Sequence, residues 1–87
     1  MKVTEMGKYR FKEPQEVKIT KKDDYFVLEF KELDIYEVSD SEDGCLSDME
    51  DTVDMLWFGY VEEDEGILTG QAVELKNKVL AMIELNE

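Results

Sequence analysis

Residues 41–60 read SEDGCLSDMEDTVDMLWFGY, and their spacing decides the fold. Apolar side chains recur at Cys45, Leu46, Met49, Val53, Leu56, Trp57 and Tyr60. At about 100° per residue they fall within an arc of about 120°, the stripe of a helix packed on a core. Ser41 stands where an N-cap is needed. Glu42 and Asp43 follow in the first turn, where the helix dipole favours acids. Gly44 and Gly59 weaken the helix by about 1 kcal/mol each relative to alanine. The spacing predicts a helix over 42–62.

Upstream the period changes from 3.6 to two. Tyr9 and Phe11 alternate with Lys8, Arg10 and Lys12, and Val17 and Ile19 alternate with Glu16, Lys18 and Thr20. Pro14 falls between these runs, where a central strand would not tolerate it. After the polar stretch Lys21-Lys22-Asp23-Asp24, residues Phe26, Leu28 and Phe30 share one face. Ile35, Tyr36 and Val38 follow a short link. The alternation predicts strands over 8–12, 15–20, 24–30 and 34–38. Downstream, Thr69 is a second N-cap. Ala72, Leu75, Val79, Leu80, Met82 and Ile83 then predict a helix over 70–85. Strands first and helices second read as α+β. The expectation is a three- to four-stranded antiparallel sheet with both helices packed on one face, in a single domain spanning 1–87.

The chain has 87 residues, one cysteine and no histidine. Without histidine the commonest general base and transition-metal ligand are missing, and the usual zinc sets and a Ser–His–Asp triad cannot be assembled from one copy. A lone Cys45 forms no intrachain disulfide and, on the stripe, reads as buried. Met1 to Lys12 alternates charged and apolar residues, unlike a signal peptide, and no apolar run has membrane-span length. These features predict a non-enzymatic, cytoplasmic protein without cofactor or membrane contact.

The net charge is −13 and unevenly distributed. Residues 1–31 carry eight basic side chains against six acidic ones. Residues 32–75 contain fifteen acids and neither Lys nor Arg. Such a segment disfavours direct nucleic-acid binding and favours a basic protein partner.

Two acidic runs invite a metal reading. Residues 39–50, SDSEDGCLSDME, place oxygen ligands at positions one, three, five and twelve of a calcium loop and Gly44 at six. The first ligand is Ser39 rather than a carboxylate, however, and a strand precedes the loop where an EF-hand has a helix. A helix N-terminus is the better reading. Glu62, Glu63, Asp64 and Glu65 read as a solvated loop, with a divalent-ion site as the alternative.

Off the stripe lie Asp48, Asp51 and Asp54, together with Met55 and Phe58. Phe58 projects about 100° beyond the stripe's edge. Either the second helix covers Met55 and Phe58, or they form a patch that wants a partner. With Glu62, Glu63 and Asp64 they make the candidate partner-binding surface.

Glu32-Leu33-Asp34-Ile35 closing a strand, followed by the Ser41-capped helix, resembles the small HicB-like antitoxin group. There a short meander precedes a GxTxxEALxxxxxxL helix. The chain is more similar to small acidic prokaryotic proteins of unassigned function that themselves resemble this group. The shared features are Phe11-Lys12-Glu13-Pro14, Leu56-Trp57-Phe58-Gly59-Tyr60 and Leu68-Thr69-Gly70-Gln71-Ala72-Val73-Glu74-Leu75-Lys76, so the likeness covers 8–84. Ser39 and Ser41 replace the usual glycine and threonine, and Phe58 and Gly59 replace two usual acids. The resemblance implies a domain that covers a small basic RNA-cleaving toxin, without the separate DNA-binding segment many such antitoxins carry. The alternative is a homo-oligomer in which Lys8, Arg10, Lys12 and Lys18 of one copy meet the acidic helix of another.

Overall fold

Gly7 takes φ +58°, a left-handed value at the first central position of a two-residue hairpin loop, where glycine is favoured. It joins β1 (Lys2–Met6) to β2 (Tyr9–Glu16) in antiparallel pairing. The computed structural model describes residues 1–64, 66 and 68–86. After β2 come β3 (Lys18–Lys21) and β4 (Phe26–Phe30). A 3-10 turn at Lys31–Leu33 ends on Asp34, whose φ of 56° reverses the chain into β5 (Ile35–Ser39). The helix α1 spans Glu42–Leu56, and α2 spans Gly70–Met82. The chain then enters β6 (Ile83–Leu85).

The α+β class holds, but the strands form two antiparallel three-stranded sheets, ordered β1-β2-β6 and β3-β4-β5, rather than one. Three further details differ from expectation. First, Lys2–Met6 forms a strand. Val3 and Met6 are both buried although three residues apart, because the register with β2 shifts between Val3 and Glu5. That irregularity hides the period of two. Second, Pro14 lies inside β2 rather than between strands. The partners on β1 jump from Arg10 to Gln15, and β6 reaches only Tyr9 to Phe11. Pro14 therefore sits where neither neighbour needs its missing N–H. Third, the second helix stops at Met82, and Ile83 pairs with Phe11 instead of continuing the helix. Leu80, expected on the inward stripe, is exposed.

The caps are as the sequence predicts. Ser41 Oγ accepts from the Gly44 N–H at 2.9 Å, and Thr69 Oγ1 accepts from the Ala72 N–H at 3.2 Å. Beyond Leu56 the first helix widens into a π-turn at Trp57–Val61, closed by the Glu62 N–H donating to the Trp57 carbonyl at 3.0 Å. This wider turn leaves Tyr60 half-buried while Trp57 stays in the core.

One buried cluster links both sheets and both helices. It includes Tyr9, Phe11, Leu28, Phe30, Ile35, Cys45, Met49, Val53, Trp57, Val79 and Ile83. Phe11 meets Phe30 edge-on at 5.6 Å between the sheets, and Tyr9 meets Trp57 at 5.5 Å. Fully burying such side chains contributes about 1.5–3 kcal/mol each. The Cys45 thiol is buried and its Sγ donates to the Phe26 carbonyl at 3.4 Å. Burial pushes its pKa up, which keeps it protonated and unreactive.

Candidate interaction surface

The helix α1 buries its stripe and leaves two flanks, and they differ. On one flank stand Glu50 and Asp54, four residues apart and so neighbours on the helix. This flank faces the β1–β2 hairpin. Glu50 Oε1 comes so close to Gly7 that a Cβ there would lie 1.7 Å from it. Asp54 accepts a hydrogen bond from the fully buried Tyr9 hydroxyl and pairs with Lys8 Nζ at 3.4 Å. The Tyr9 hydrogen bond and the Lys8 charge hold the Asp54 carboxyl below its usual range. Burial, followed by the Asp54 bond and its charge, pushes the Tyr9 phenol well above its ordinary value. Of the predicted surface acids, Asp54 is thus engaged within the chain.

The other flank carries Asp48, Asp51, Thr52 and Met55. The Thr52 hydroxyl donates to the Glu37 carboxylate of β5, which ties the flank to the sheet. Beyond that bond the flank opens to solvent. Asp51 is exposed, Asp48 is half-buried, and Met55 is 72% exposed. Phe58, on the π-turn, is 52% exposed. Of the two possibilities for Met55 and Phe58, cover by α2 is not what forms. The helix α2 packs on the π-turn and leaves both side chains open. Lys8 Nζ lies 4.8 Å from the Phe58 ring centroid, so a cation–π contact covers part of one face.

The remaining predicted residues follow the π-turn. Glu62 lines a cleft of about 240 Å³ with Lys8, Trp57, Leu85 and Asn86. That is below the roughly 300 Å³ at which small-molecule sites begin. The Glu63 carbonyl accepts from Lys76 Nζ at 3.4 Å. The Asp64 carboxylate accepts from the Gly66 N–H at 2.9 Å, closing a local turn. Glu65, the fourth acid of that run, lies outside the described residues. The structure therefore leaves Met55 and Phe58 exposed, engages Asp54 within the chain, and sets Phe58 and Glu62 each beside Lys8.

Residues 42–50 of the calcium-loop reading are helical, so the loop does not form. Among the described residues no group of three or more His, Cys, Asp or Glu side chains is arranged to hold a metal ion. Among them, too, no helix is long and apolar enough to cross a membrane. Sequence reasoning missed Lys8 and Tyr9 as the partners of Asp54, since 45 positions separate Tyr9 from Asp54. No protein-family model matches the chain, and no curated protein or solved structure is a significant match.

Proposed function

We propose that this protein is a non-catalytic binding domain that docks a basic protein on the open flank of α1. One observation carries the reading. Met55 and Phe58, two large apolar side chains on adjacent turns, are 72% and 52% exposed within a segment of the chain that has no Lys or Arg from 32 to 75. An apolar pair in this acidic segment, with Lys8 and Asp54 paired at one side, suits a partner whose rim is basic and whose centre is apolar. Charge steers the encounter, and burial of the pair supplies affinity. Asp48 and Asp51 flank the pair, and Glu62 lies further along.

A small basic RNA-cleaving toxin, the partner that the HicB-like resemblance implies, is one protein of this chemistry. Binding would cover its RNA-binding face. Association of the chain with itself through its basic strand residues is less well supported. Lys8 is already paired with Asp54, and Arg10 with Glu84 at 3.1 Å, within one chain.

The test is affinity capture from source lysate with two baits, the wild-type protein and a Met55→Lys/Phe58→Glu double variant. The expected result is one small basic protein retained by the wild type and lost from the variant at equal salt. Equal retention by both baits, or retention of no basic protein, would overturn the reading.

A further inference from the structure

The second sheet has two open edges that are treated in opposite ways. At β3 the edge carries exposed Lys18 and Lys21, with exposed Lys22 just beyond. Lysines on an edge discourage pairing with another strand. At β5 there is no such guard. The strand pairs with β4 on one side only. Among the described residues, no backbone hydrogen bond joins the other side of residues 35–38 to any segment. No proline, Lys or Arg stands on it.

Its side chains divide by face. Ile35 is buried in the core, and Glu37 bonds to Thr52 of α1, so both point inward. Tyr36 and Val38 alternate with them and point outward, 62% and 50% exposed. Val38 pairs across the ladder with Val27, which is only 5% exposed yet lies outside the main core cluster. The outer face thus has an apolar strip of its own, running from Val27 to Val38 and ending in air at the edge. The charged residues within the strand and directly flanking it are acidic, Asp34, Glu37 and Asp40, with Lys31 and Glu32 in the turn before Asp34.

We infer that the free edge of β5 receives an extended basic segment of a partner protein as a fourth strand, with alternate apolar side chains laid beside Tyr36 and Val38. Backbone hydrogen bonds supply the ladder, and the outward strip selects apolar residues at every second position. The acids around the edge select Lys or Arg in the segment. They also oppose pairing of β5 with β5 of a second copy, since that would set two acidic surfaces together and Glu37 near its own copy. This inference concerns a surface other than the α1 flank, so either can fail alone.

The probe is a blocked octapeptide alternating Lys and Val, titrated into the ¹⁵N-labelled protein. Two control peptides accompany it. One has alternate backbone nitrogens methylated, keeping charge and side chains but losing the donors of one edge. The other has Glu in place of every Lys. The expected result is shifts and slowed amide exchange centred on Tyr36 to Val38. Affinity should fall at least about tenfold for each control peptide and for Val38→Lys. Phe58→Glu should bind the peptide as the wild type does. An unchanged melting temperature will show that Val38→Lys is folded, and Tyr36→Lys replaces it if it is not. Equal binding of the methylated peptide, or shifts confined to the acids of α1, would overturn the inference. So would growth of particle mass with protein concentration that Val38→Lys abolishes, because the edge would then belong to a second copy.

Discussion

The two flanks of α1 are built from the same residue types and have opposite fates. On one, Asp54 is held by Tyr9 and Lys8 while Glu50 closes over Gly7. On the other, Thr52 bonds to Glu37 while Asp51 is exposed and Met55 is 72% exposed. An acid on a helix is therefore not a functional signal by itself. It is glue where a distant element brings a donor and a cation to it, and free surface where none arrives. The open flank stands out because, among the described residues, no cation pairs with Asp48 or Asp51, and because Met55 is 72% exposed.

Perturbing the closed flank should cost stability, and perturbing the open flank should not. The largest effect is expected at Gly7→Ala. The residue must keep φ near +58° and its Cβ would meet Glu50, so the hairpin and the helix are strained together. A left-handed conformation costs a non-glycine residue about 1–2 kcal/mol before any clash. Chemical denaturation should show at least that loss. If the variant matches the wild type, Glu50 moves aside freely and the closed flank is looser than its geometry implies.

Tyr9→Phe should come next, at about 1 kcal/mol for one hydrogen bond, or about 4–8 °C in melting temperature. Its pH dependence follows from two opposite shifts. Tyr9 has a raised pKa in the fold, so its contribution is complete below the unfolded phenol value of about 10 and is lost as pH rises beyond it. Asp54 has a lowered pKa, so its contribution is present above the unfolded carboxyl value of about 3.9 and is lost as pH falls through the folded one. Melting of Tyr9→Phe should therefore lose part of the wild type's alkaline decline. An identical decline in both proteins would detach Tyr9 from that behaviour.

These couplings also mark the limit of what the sequence discloses. Ser41, the stripe from Cys45 to Trp57 and the cap at Thr69 are local patterns, and each appears where its spacing puts it. β1 was hidden because its bulge spaces Val3 and Met6 by three. β6 was hidden because Met82-Ile83 continues a helical pattern, and only pairing with β2 draws Ile83 out as a strand. For the candidate surface, the exposure of Phe58 and Met55 was one of two open possibilities. The withdrawal of Asp54 was not visible at all, since its donor lies in another element far along the chain. Local order is written in neighbouring residues, whereas the fate of a surface acid is written in tertiary contacts.

The smallest stability effect is expected at Met55→Lys, within about 0.5 kcal/mol, as for surface changes that break no contact. A large loss in thermal melting would mean that Met55 is held by something its exposure does not reveal. If the melt is unchanged, the position is free to serve a partner.

The docking claim for the open flank is tested most directly by photo-crosslinking in the source cells. A benzophenone amino acid replaces Met55 in one protein and Gln71, exposed on α2, in another. The prediction is a single discrete adduct with a basic protein from position 55 and none from position 71. No adduct at 55, or the same adducts from both positions, would contradict it.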